Sequence, residues 1–132
     1  MKREDSIGYI KSRMDSSHEH FRLAKLLYEE RLWEFAYTQL YHAVFYAVTA
    51  LLAKQEIYTN AHLEAHADFT RLYIKSGKFD AKYAKLIKDL YNGYKKGADV
   101  GKLVRDSELV MPLPELVLEM INEIEKEINS ST

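Results

Sequence analysis

Three groups of side chains in this 132-residue chain have types and spacing suited to chemistry. Late in the chain stand Tyr91, Tyr94, Lys95 and Lys96. Aromatic rings beside ammonium groups can bind a nucleotide or single-stranded RNA, the rings stacking on bases and the cations holding phosphates. The other reading of the same residues is core packing for the rings and solvent for the lysines, which helical periodicity also allows. Further back, His62 and His66 are four apart, so they share one helical face. That spacing can bind a divalent metal. Glu64 falls on a different face, and no third ligand is at hand, so no metal is expected. His66 is read as packed near a central helix, its ring bonded to the hydroxyl of Tyr41 or Tyr46, with His62 solvated. Near the start, Arg13 is followed by His18 and His20. Arg13 and His18 lie about 140° apart around a helix axis, which gives no shared point, so both are read as surface residues.

The elements that must position these groups are helices. Only two Pro and five Gly occur, and four of the Gly lie after residue 76. A first helix is expected from Asp5 to Glu30, with Ile7, Ile10, Met14, Phe21, Ala24, Leu27 and Tyr28 at helical spacing. A second, from Leu32 to Gln55, has no charge between Glu34 and Lys54 and is apolar almost all round. Such a helix is buried on all sides, so it is the central rod of a bundle. Tyr37, Tyr41 and Tyr46 on it read as core and dimer-interface rings. Asn60 suits the N-cap of a third helix, Ala61 to Lys75, packed through Leu63, Ala67, Phe69, Leu72 and Tyr73. Gly77 fits just past its end. Asp80 caps a fourth helix running to Lys96. Residues 97 to 113 read as irregular, and Pro114 opens a last helix to Asn129. The expectation is one all-α domain over residues 1–132, an up-and-down bundle of about five helices around a buried central one.

Charge is strongly blocked along the chain. Residues 71–105 hold ten Lys or Arg against three Asp, a net of +7, and residues 106–132 hold seven acids against one Lys, a net of −6. Lys78, Lys82, Lys85 and Lys96 line the polar face of the fourth helix. They can attract phosphates, or dock the last helix through Glu115, Glu119, Glu123, Glu125 and Glu127. The absence of Cys excludes disulfides, thiolate nucleophiles and Cys-ligated zinc. No apolar run approaches the roughly 20 residues that cross a bilayer, and no signal segment is visible, so a cytoplasmic protein without membrane contact is expected. No cofactor motif is present.

Three strings together resemble the HEPN-like family of small prokaryotic proteins (higher eukaryotes and prokaryotes nucleotide-binding). Tyr41-His42-Ala43-Val44-Phe45-Tyr46-Ala47 is similar to that family's tyrosine-rich "YYAMFHAA" segment. His66, Phe69 and Lys75-Ser76-Gly77 follow its order of His, Phe and "K-x-G". Leu90 to Gly101, LYNGYKKGADVG, is similar to "L-x-x-x-R-x-x-A-D-Y". The resemblance covers roughly residues 20 to 128 and implies a helical bundle, a homodimer, and often a small nucleotidyltransferase antitoxin as partner. It implies an RNA- or nucleotide-binding, toxin-like half of a two-gene module. Many HEPN ribonucleases use an Arg followed by four to six residues and a His. Here Lys95 stands at the family's Arg, Val100 at its Tyr, and no His follows His66. Weak or lost ribonuclease activity is therefore expected, with Lys95 and Asp99 as the candidate catalytic residues. Lys95, Lys96, Tyr91, Tyr94 and His66 are the candidate binding residues. A non-catalytic protein–protein interaction module and an active metal-independent endoribonuclease are the alternatives.

Overall fold

A computed structural model describes residues 3–96 and 113–130. Among the described residues five α-helices follow in order: α1 (Arg3–Glu29), α2 (Trp33–Lys54), α3 (His62–Phe69), α4 (Lys82–Lys96) and α5 (Leu113–Ile128). No strand occurs among the described residues. The protein is an all-α helical bundle, as the periodicity requires. Helix α2 is its axis: fourteen of its 22 residues are buried, and α1, α3, α4 and α5 all pack on it. The uncharged stretch of α2 is what allows this, since a charge on most of its faces would be buried without water.

The hairpin from α1 to α2 closes without glycine. Arg31 takes φ 61°, its N–H bonds the Tyr28 carbonyl, and the Leu32 N–H reaches back to the Leu27 carbonyl. Glu56 takes φ 62° and repeats the pattern after α2, with Glu56 N–H on the Ala53 carbonyl and Ile57 N–H on the Leu52 carbonyl. Both are Schellman closures, which satisfy orphan carbonyls of the helix end. Inside the hairpin, Ser17 is buried and donates to the Ala43 carbonyl at 2.6 Å.

The third helix departs from its sequence reading. It runs as α-helix only to Phe69 and continues as a π-helical turn over Thr70–Ile74, with Lys75 N–H on the Thr70 carbonyl. Its buried residues are Ala65, Phe69 and Tyr73, while Leu63 is 66% exposed and Ala67 is also exposed. The face containing His62 and His66 turns inward instead. Asn60 is not the N-cap: Ala61 holds that position without a side-chain bond, and Asn60 Oδ1 accepts from Arg13 Nη2 at 2.7 Å. Gly77 does end this segment, at φ 81°. Asp80 Oδ1 accepts from the Lys82 N–H at 2.8 Å, as a capping side chain should.

The acidic face of α5 docks on the lysine row. Lys78 Nζ meets Glu127 at 2.8 Å, Lys82 Nζ meets Glu119 at 2.6 Å, and the Tyr83 hydroxyl also donates to Glu119. Lys54 Nζ caps the far end of α5 through the carbonyls of Glu127 and Ser130. Two of the four lysines proposed as phosphate attractors are thus spoken for by α5. No helix among the described residues is long and apolar enough to cross a membrane.

Candidate functional site

The site is organised by one buried hydroxyl. Tyr41 sits on α2 with no exposed surface, and its oxygen lies 2.6 Å from His62 Nδ1 and 2.9 Å from His66 Nε2. The i,i+4 spacing of the two histidines on α3 lets both imidazoles reach the same atom. The expected bond from His66 to a tyrosine of α2 is present, and it goes to Tyr41. The solvated His62 of the sequence reading is corrected: its ring is held by Tyr41 and stacks on Phe45 at 4.4 Å.

Helix α4 closes the other side. Tyr94 stacks on Tyr41 at 4.9 Å, and Tyr91 lies 5.5 Å from it and 5.1 Å from His66. Lys95 is exposed, with Nζ 6.0 Å from the Tyr91 ring centroid. This close approach of α4 to α2 depends on Gly93, where a Cβ would lie 2.2 Å from Tyr37 Cε1. Tyr37 in turn donates its hydroxyl to the Asp89 carbonyl at 2.9 Å.

The strip of rings continues across α2 onto α1. His42 packs edge-on to Tyr94 at 5.1 Å and lies 5.5 Å from His20. His20 stacks on Tyr46 at 5.2 Å with the planes 10° apart, and its Nδ1–H donates to Gln39 Oε1 at 2.6 Å. The Arg13 guanidinium lies 5.2 Å from the same Tyr46 ring. Arg13 and His20 are seven apart, two turns along one face of α1, and both contact Tyr46. Arg13 is therefore not a free surface residue, and His18 also differs from that reading, meeting Glu125 at 3.1 Å. The spacing that carries the geometry is the seven residues from Arg13 to His20, not the five from Arg13 to His18.

Electrostatics follow from this crowding. Burial, then the Tyr91 and Tyr94 hydroxyls, push the Tyr41 phenol up, so it stays protonated. Burial, then His62, lower His66 to about 4. Burial and the Lys95 ammonium lower His62, while burial, His20 and His62 lower His42. The cluster thus presents neutral imidazoles at neutral pH, within a partly open aromatic layer that runs from Arg13 to Lys95. Among the described residues no group of three or more His, Cys, Asp or Glu could hold a metal ion. Asp99 and the side chain of Lys96 lie outside the described residues. A separate cleft of about 370 Å³ between α1 and α5, lined by Ile7, Ile10, Met14 and Ile128 among others, contains none of these rings.

No family model matches the chain. Over 86 residues it is 28% identical to a protein of Methanocaldococcus jannaschii named as a toxin candidate, spanning 65% of this chain and 58% of that one. Over 85 residues it is 32% identical to a UPF0332 protein of Thermotoga maritima, spanning 64% of each. A second toxin candidate of M. jannaschii is 25% identical over 83 residues, spanning 63% of this chain and 62% of that protein. The chain thus covers less than two thirds of the length of these relatives.

Proposed function

We propose that this protein is a HEPN-type RNA- or nucleotide-binding protein, the toxin-like half of a two-gene module. The observation that carries the reading is the continuous strip of imidazole and phenol rings bounded by Arg13 and Lys95. Half-exposed rings offer stacking faces to successive bases, and the terminal cations suit phosphates. The toxin-candidate names of two relatives support the toxin-like role, and a nucleotidyltransferase antitoxin is the partner that the family resemblance implies.

Fluorescence anisotropy with a labelled single-stranded RNA tests it. If two to three phosphates are neutralised, affinity should fall about seven- to twentyfold between 50 and 200 mM salt. Lys95→Ala should weaken binding and flatten that slope by about 0.7. Affinity insensitive to salt, and unchanged when Lys95 and Lys96 are both replaced, would sink the reading.

A second reading has its own observation. Leu23, Leu26, Leu32 and Phe35 are exposed at the α1–α2 corner, Phe35 by 64%. Exposed apolar residues gathered at one corner suit a protein contact, which favours a non-catalytic interaction module or a homodimer face. Sedimentation of the protein alone and of Phe35→Asp separates these: a dimer that the substitution dissociates assigns the corner to self-association.

A further inference from the structure

We propose that the middle of the ring strip is a proton-coupled anion site: RNA phosphates bound along it draw protons onto His42 and His62, so the protein holds RNA more tightly as pH falls. The inference rests on the RNA-binding reading and deepens it, naming how that site is regulated.

The placement of charge along the strip carries the inference. The fixed cations that touch its rings stand at the two ends, Arg13 by Tyr46 and Lys95 by Tyr91. Between them run His20, His42 and Tyr94, with the His62 ring 6.0 Å from Tyr94. A strand that spans the strip sets phosphates over this stretch, where neutral rings give them no counter-charge. The imidazoles are the groups that can supply it, because a histidine changes charge near neutral pH.

Nothing in the surroundings charges these rings beforehand. His42 packs on His20 from α1, Tyr41 from α2 and Tyr94 from α4. His62 packs on Tyr41 and Phe45 from α2 and on Tyr91 and Tyr94 from α4, and shares the Tyr41 hydroxyl with His66 of α3. Carboxylates of the neighbouring elements are turned to other partners: Asp68 to Arg71, Asp89 to Lys85, and Glu125 to His18. Burial, then His20 and His62, lower His42; burial, then Lys95, lower His62. A phosphate at about 4–6 Å reverses that balance, since an opposite charge at this range favours the imidazolium.

The Tyr41 hydroxyl sets how many protons enter. It has one proton to give and lone pairs to accept with. A protonated His62 donates from Nδ1 to the Tyr41 oxygen while Tyr41 donates to His66 Nε2, so both bonds, 2.6 and 2.9 Å, survive. Protonating His66 as well would aim two donors at one oxygen and leave the Tyr41 proton without an acceptor. The pair on α3 therefore takes one proton and His42 takes a second.

Linkage gives the direction. At high pH the rings are neutral in free and bound protein and add nothing to affinity. As pH falls, binding takes up protons, and affinity climbs by at most about tenfold per pH unit for each proton. The gain levels off once the free protein is protonated too.

The test is isothermal titration calorimetry of the full chain with an oligouridylate that lacks a terminal phosphate, since uridine has no group that titrates between pH 5.5 and 8.5. Two buffers of different ionisation enthalpy count the protons taken up. Affinity should rise about tenfold from pH 7.5 to 5.5, with about one proton or more taken up near pH 6 and none at 8.5. The salt slope at pH 5.5 should steepen by up to about 0.7 for each charged ring. His42→Gln and His62→Gln should bind like the unaltered protein at pH 8.5 and fall further behind it as pH drops, whereas a merely structural role would weaken binding equally at every pH. The double variant should lose the pH dependence, and His18→Gln should keep it in full. Circular dichroism at each pH checks the fold; His42→Gln gives up no hydrogen bond among the described residues, so it decides the matter where His62→Gln does not fold. RNA bound with one affinity at every pH, without proton uptake, overturns the inference and leaves the binding reading standing. RNA bound at no pH overturns both. A pH dependence undiminished in His42→Gln, or persisting in the double variant, overturns the assignment to these rings.

Discussion

Acid should loosen this bundle through one histidine, and the size of the effect can be worked out. Burial and the His62 ring hold the His66 imidazole at about 4, against an ordinary 6.5. Between those values the unfolded chain binds a proton at this position and the folded one does not. Stability therefore rises with pH across the window: the contribution is complete above 6.5 and is lost as pH falls toward 4. Between pH 7.5 and 5.0 the linkage amounts to about 2 kcal/mol for a sealed ring. His66 is only partly buried, and solvent screening brings this to about 1 kcal/mol. For a chain of this size that corresponds to roughly 4 °C in Tm. The assay is a pair of thermal melts by circular dichroism, at pH 7.5 and 5.0, on the unaltered protein and on His66→Gln. Glutamine keeps an acceptor for the Tyr41 hydroxyl and has nothing to titrate. His62 and His42 are lowered in the same direction, so the variant keeps part of the slope. The informative quantity is the difference between the two proteins. Equal losses of Tm in both would show that His66 is not held neutral by its surroundings.

Three other perturbations probe the frame around the site. Gly93→Ala places a Cβ 2.2 Å from Tyr37 Cε1, so the Tyr37 ring or α4 must move; a destabilisation of about 1–3 kcal/mol is expected, read as a lower denaturation midpoint, together with weaker RNA binding. Glu56→Gly relieves a left-handed residue at φ 62° in the closure of α2 and should stabilise by about 1 kcal/mol, seen as a Tm higher by roughly 4 °C; no gain would mean that the closure is not strained. Lys82→Ala, which removes a partner of Glu119, should leave RNA affinity and its salt slope unchanged, and a loss as large as that from Lys95→Ala would refute the assignment of this lysine to α5.

The bundle was legible in the sequence because one segment decided it. From Ala36 to Leu52 no charged residue interrupts the second helix and apolar or aromatic residues cover most of its faces, so it reads as an axis. The docking of α5 was legible as one of two alternatives, since charge blocks of opposite sign predict attraction without saying to what. The phase of the third helix was legible only at His66. Leu63 and Ala67 are more apolar than His62 and His66, and hydrophobic pattern alone turns them inward. What reverses the order is the Tyr41 hydroxyl, buried on α2: a tyrosine bond was expected for His66 alone, and this one satisfies both imidazoles. The ring strip was half legible. Tyr91, Tyr94, Lys95 and His66 were picked out, and the structure joins them. The contacts of Arg13 and His20 with Tyr46 were not legible because they run between helices.

The arrangement around Tyr41 costs the fold something that simpler residues would not. Phenylalanine at 41 with leucines at 62 and 66 would fill comparable space with no polar group to satisfy, and replacing all partners of a buried hydrogen bond by apolar groups is often neutral or stabilising. The polar version contributes bonds of about 1 kcal/mol each, yet it makes stability depend on acid and on exact placement of three rings. The hub also lies under a layer that is only half closed, where His42, His62, Tyr46 and Tyr94 keep part of their surface in water. A core built for stability alone would close that layer and drop the imidazoles. Local choices that run against packing gather where a chain does its work. In this chain they gather along the line from Arg13 to Lys95, from which the binding proposal is drawn.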